Sequence, residues 1–112
     1  MKVPGHIYFA QSEHGGPVKI GFTTDLEQRL RNLQSASPYP LVLRATFPGT
    51  EADERKLHRR FAANRLHGEW FTPDASMENV VNGVGLPADH RPLKRMTSLL
   101  DRAIIELENG GV

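Results

Sequence analysis

The chain has 112 residues, a formal net charge of +1, 38% hydrophobic and 24% charged residues, and no cysteine. This fits one domain with one core and excludes disulfides, thiolate metal sites and cysteine nucleophiles. No stretch approaches the roughly 18 apolar residues of a membrane span. Residues 1–4 lack the basic-then-apolar pattern of a secretory leader, so a reducing, cytoplasmic setting is expected.

Residues 6–11, His-Ile-Tyr-Phe-Ala-Gln, are rich in β-branched and aromatic types and predict a strand. Glu13-His14-Gly15-Gly16-Pro17 predicts a turn, and residues 18–22 a second strand that closes a hairpin. Gly21, near the end of that strand, marks a bend or the close approach of another group. Thr24-Asp25-Leu26-Glu27 fits a capping box with Thr24 as the cap. Leu26, Leu30 and Leu33 then form the apolar stripe of a helix, which Pro38 and Pro40 end.

Residues 41–47 alternate Leu41, Leu43, Ala45 and Phe47 against Val42, Arg44 and Thr46, as a strand with at least one buried face does. Pro48-Gly49 turns the chain, and Thr50 caps a helix over about 51–63 with Ala52, Leu57 and Phe61 inward. Gly68-Glu69-Trp70-Phe71 predicts a short extended piece, with Trp70 and Phe71 closing the core. The expected fold is thus α+β: a small mixed or antiparallel sheet flanked by helices. The remainder predicts a short helix capped by Ser76, a linker over 83–92, and a C-terminal helix whose stripe runs from Leu93 to Leu107. The expected organisation is a domain over 1–75 and a helical extension over 76–112, with the 93–108 helix as a surface for homodimerisation.

The charge is uneven. Arg55, Lys56, Arg59, Arg60 and Arg65 form one basic group, and Arg91, Lys94 and Arg95 a second. Local clusters rather than net charge meet phosphates, although a basic helix face is also an ordinary solvated surface. No nucleophile elbow, Walker loop or dinucleotide fingerprint is present, and the five histidines show no H-E-x-x-H pair. Three features remain. Tyr8 and Lys19 stand on neighbouring strands, Arg29 lies beside the first helix's apolar stripe, and Glu54 and His58 share a helix face. Brought together, a carboxylate would hold Mg²⁺ and an arginine would pair with phosphate oxygens.

The segments His6-Ile7-Tyr8, Val18-Lys19-Ile20-Gly21 and Arg29-Leu30 resemble the GIY-YIG nuclease superfamily. The run from Glu54 to Phe61 (E-x-x-L-H-x-x-F) and Gly68-Glu69-Trp70-Phe71 resemble its phage and meiotic-gene branch. The resemblance spans about residues 5–72. It implies a DNA endonuclease that uses one divalent ion, Mg²⁺ or Mn²⁺, and the basic residues at 55–65, as backbone contacts, would give it little sequence specificity. It implies that Tyr8 positions or deprotonates the attacking water, that Arg29 neutralises the scissile phosphate and that Glu54 binds the metal. Lys19 stands where the second motif usually has tyrosine, and Glu69 and Trp70 belong to the branch signature. His6 replaces the first glycine of that pattern, Leu33 a frequent histidine or tyrosine, and Asn64 is the candidate for a late asparagine. Two other readings fit the same residues: a non-catalytic DNA-binding module, and a protein-interaction domain working through the C-terminal helix.

Overall fold

The computed structural model describes residues 5–83. The second basic group, the linker and the C-terminal helix predicted beyond them lie outside the described residues. The elements are β1 (Gly5–Ser12), β2 (Val18–Thr23), α1 (Leu26–Ala36), β3 (Leu41–Gly49), α2 (Glu51–Arg60), a 3-10 turn (Ala62–Asn64), β4 (Arg65–His67), β5 (Trp70–Phe71) and α3 (Ala75–Val81). The strands form one sheet of order β3-β1-β2-β5-β4 in which every pair is antiparallel. The expected α+β class is found, with one strand more than predicted. Gly68 and Glu69 form the turn between β4 and β5 rather than part of a strand.

The β1–β2 hairpin turns through Gly15 and Gly16, both in the left-handed region at φ +90° and +89°, a conformation that glycine adopts without a Cβ penalty. Helix α1 starts one residue later than the sequence suggests. Its cap is Asp25, whose side chain accepts from the Gln28 N–H, because the Thr23 hydroxyl engages the Asp25 backbone and sets the entry. Helix α2 has the predicted Thr50 cap, completed by Asp53 as a reciprocal capping box. Helix α3 is capped by Asp74, not Ser76.

The sheet has two unequal faces. Tyr8, Ala10, Leu41 and Leu43 pack under Leu26, Leu30 and Leu33 of α1. On the other face Phe9, Ile20, Phe47, Phe61 and Phe71 pack with Leu57 of α2 and with Met77, Val80 and Val81 of α3. A fully buried large apolar side chain is worth about 1.5–3 kcal/mol. An exposed pair such as Arg55–Glu51 is worth at most about 0.5 kcal/mol, so this core decides where α2 sits.

The alternation predicted for β3 breaks in the middle. Phe9 pairs with Ala45 but Ala10 pairs with Leu43, so Arg44 is an extra residue. This bulge turns Leu41 and Leu43 toward α1 while Ala45 and Phe47 face α2 and α3. Arg44 is thereby freed to donate to Gln11 Oε1 and to the Glu78 carboxylate, which ties α3 to the sheet.

Candidate functional site

The site is built outward from Tyr8. Its side chain is fully buried, on the sheet face covered by α1. Tyr8 pairs with Gly21 on β2, and a Cβ there would overlap the Tyr8 hydroxyl. Glycine is therefore required for the phenol to lie flat across β2, and this is the close approach that its position in the strand suggested. On the other flank Tyr8 pairs with Thr46, whose buried hydroxyl has no hydrogen-bond partner among the described residues.

Arg29, an exposed residue of α1, donates from Nη1 to the Tyr8 hydroxyl over 3.5 Å. Burial pushes the Tyr8 hydroxyl above its usual pKa. The hydrogen bond and charge of Arg29 oppose that shift, and the carboxylates of Glu69 and Glu54 add to it. Tyr8, Arg29, Glu54 and Glu69 thus share one electrostatic neighbourhood, although they come from β1, α1, α2 and the β4–β5 turn. Lys19, next to Tyr8 on the same face, forms an ion pair with Glu69 over 3.1 Å, and its ammonium stands 5.4 Å from the centre of the Trp70 ring. Lys19 and Trp70 are cross-strand partners, so this contact follows from the β2–β5 register. Trp70 is half-buried, and of the two aromatics expected to close the core only Phe71 is fully buried.

Glu54 reaches this group because of where α2 meets β2. Strand β5 pairs with Val18 and Lys19 and the Ile20 N–H donates to the Glu69 carbonyl just beyond them, which leaves a gap in the ladder at the Ile20 carbonyl. His58 fills that gap: its Nε2 lies 2.9 Å from the Ile20 carbonyl, and its Nδ1 lies 3.3 Å from Arg65 Nη2. A carbonyl only accepts and a guanidinium only donates, so the Nε2–H tautomer satisfies both. The imidazole replaces a missing ladder bond and moors α2 to the sheet edge, one helical turn from Glu54. Glu54 Oε1 stands 3.9 Å from His58 Nε2, and its side chain is 15% exposed. Burial raises the Glu54 pKa, and the negative charge of Glu69 raises it further, against the influence of His58 and Arg55. Both ring nitrogens of His58, a candidate catalytic residue beside Glu54, are thus engaged by the Ile20 carbonyl and Arg65.

The basic group divides around α2. At about 100° per residue, Arg55 falls on the side of the helix next to Glu54 and His58, and Arg59 on the face turned away from the core. Lys56 and Arg60 fall on the far side. Lys56 lines a cavity of about 250 Å³ with Asp53, Leu57 and Val80, and Arg60 stands over Phe61. Arg65 lies at the site, against His58 and 5.5 Å from the centre of the Phe71 ring. Asn64 donates to the Thr72 carbonyl and to Asp74 Oδ2, which ties the 3-10 turn to the α3 cap. Leu33 packs from α1 onto the sheet beside Leu30. Sequence reasoning missed the Lys19–Glu69 pair and the Arg65–His58 contact. Both depend on strand register across the β2 edge, for which the linear spacing carries no signal.

Among the described residues no three His, Asp or Glu side chains cluster as a metal-binding group, and no helix is long and apolar enough to cross a membrane. Neither the curated proteins nor the solved structures contain a match to the chain. Residues 5–85, more than half of the chain, match the T5orf172 domain, so this protein belongs to the T5orf172 domain family.

Proposed function

We propose that this domain binds DNA and hydrolyses a phosphodiester with one divalent cation, in the manner of the GIY-YIG nucleases it resembles. The observation that carries the reading is the meeting of the Tyr8 hydroxyl with the Arg29 guanidinium at 3.5 Å, within the electrostatic reach of Glu54. Membership of a phage-associated family with nuclease-like or DNA-binding character supports it.

The donor set fits such a cation. Mg²⁺ in phosphoryl-transfer sites takes one or two protein carboxylates and completes its shell with phosphate oxygens and water. Glu54 provides one carboxylate. Burial and the charge of Glu69 both disfavour its ionised form, and a bound cation would relieve both. When bound by Glu54, Mg²⁺ or Mn²⁺ would supply charge neutralisation at the phosphoryl and leaving oxygens.

The residues of the chain do the rest. Arg29 is exposed and presents its remaining N–H donors to a phosphate, where its charge stabilises the transition state. Tyr8, the tyrosine of the first motif, would help position the attacking water through the Arg29 guanidinium that meets its hydroxyl. Lys19, paired with Glu69, fixes that carboxylate and lends positive charge beside Tyr8. Arg55, Arg59 and Arg65 hold the flanking backbone, contacts that position DNA without reading its sequence. The test is cleavage of an end-labelled duplex in Mg²⁺, Mn²⁺ or EDTA. Metal-dependent product that disappears in EDTA and in Arg29→Ala is expected; equal cleavage by Arg29→Ala contradicts the reading.

One observation favours a second reading, a DNA-binding module without hydrolysis. Tyr8 is buried with a raised pKa and Lys19 is ion-paired, so neither offers a free base. The same assay separates the two, since a pure binding module shifts the duplex and leaves it intact.

A further inference from the structure

Among the described residues strand β4 is the last strand of the sheet, so one of its edges has no strand neighbour among them. Its register with β5 skips a residue: Arg65 pairs with Phe71 and His67 with Trp70, which leaves Leu66 without a partner across the ladder. A bulge of this kind re-aims a side chain. Leu66 is 58% exposed. Isolated surface leucines are ordinary. An apolar side chain on a free edge strand is different, because such edges invite unwanted pairing and are normally blunted with charge.

The neighbours of Leu66 are cationic or polar. Arg65 is pinned on both sides, by His58 Nδ1 at 3.3 Å and by the Phe71 ring. Its guanidinium is therefore pre-ordered next to the residue that stands 3.9 Å from Glu54. His67 follows Leu66, and β4 carries no carboxylate. The turn closes through Gly68 at φ +56°, where an added Cβ would meet nothing within 4 Å. The hairpin thus presents an exposed apolar side chain between Arg65 and His67, just before its Gly68-Glu69 turn, with Arg65 moored to the candidate site.

We infer that Leu66 is a specificity-determining wedge, and that the preferred substrate is a DNA duplex interrupted by an unpaired or unstacked step. The inference rests on the reading that the Tyr8–Arg29–Glu54 site acts on DNA. Proteins that insert an apolar side chain between bases must unstack them. That cost is smallest where pairing is already broken, so the wedge turns an interruption into preferential binding. Arg65 and Arg55 of α2 grip the backbone on either side of the opened step.

The test uses the full chain carrying Glu54→Gln, so that binding is read without cutting. The probes are one continuous duplex and the same duplex with a single-nucleotide gap, each bearing 2-aminopurine at the central step. The expected result is tighter binding to the gapped probe, on the order of tenfold, with a rise in 2-aminopurine fluorescence. Adding Leu66→Ala should remove the preference and the rise, while affinity for the continuous duplex stays within about twofold. Leu66→Met, a side chain of similar bulk, should restore both. Equal affinity for the two probes, or a preference that survives Leu66→Ala in a protein with an unchanged melting temperature, overturns the wedge. Absence of binding to either probe overturns instead the DNA reading on which it rests.

Discussion

The phenol of Tyr8 lies across the backbone of Gly21, so that a Cβ at Gly21 would overlap its hydroxyl and stand 2.8 Å from its Cε2. Gly21→Ala must displace either the ring or β2. Overpacking of this kind costs about 1–3 kcal/mol, and it pulls the hydroxyl away from Arg29. Chemical denaturation should show that loss together with a collapse of cleavage. An unchanged midpoint and unchanged cleavage would mean that the ring does not depend on the bare backbone.

Glu54 links the site to stability. Its folded-state pKa is raised, first by burial and then by Glu69. A carboxyl with a raised pKa stabilises the fold while protonated, and that contribution is lost as pH rises through the folded pKa. Glu54→Gln should therefore melt at a higher temperature than the wild type at pH 7. The difference should vanish as the pH falls below about 4, the ordinary glutamate range. Thermal melts across that range read the effect directly, and a Gln variant less stable than the wild type at pH 7 would refute it.

His58 should behave as a mooring point. Nitrogen-15 NMR of the imidazole should find the proton on Nε2. His58→Ala leaves the Ile20 carbonyl without its donor and should cost about 1 kcal/mol, with reduced cleavage. His58→Gln, which carries an N–H at the equivalent reach, should recover much of both. Activity lost equally in the two variants would instead give the ring nitrogens a chemical role.

The division of charge around α2 has its own signature. Arg55→Ala should lower the salt dependence of DNA binding by about one unit of slope. Lys56→Ala and Arg60→Ala, on the far side of the helix, should change it less. Titrations at several salt concentrations compare the three variants, and equal effects would move the DNA path off the side that carries Glu54.

The periodic elements were legible in the sequence. The β1–β2 hairpin, the leucine stripe of α1 and the Thr50 cap of α2 are local signals, and each is found where its residues predict. The role of Gly21 was partly legible, since a glycine inside a strand announces a close approach without naming the visitor. The bulge at Arg44 was hidden, because Leu41 to Phe47 alternate without a break and only pairing with β1 reveals the extra residue. The ion pair of Lys19 with Glu69 was hidden for the same reason: fifty positions separate the two in the chain, and the β2–β5 register alone joins them.

Nicking of supercoiled plasmid by purified wild-type and Glu54→Gln proteins in Mg²⁺ bears most directly on the site. The wild type should convert the plasmid to the open circle, and the Gln variant should bind it while leaving it intact. If Glu54→Gln nicks as fast as the wild type, Glu54 does not hold the cation, and the cluster around Tyr8 is not a hydrolytic centre.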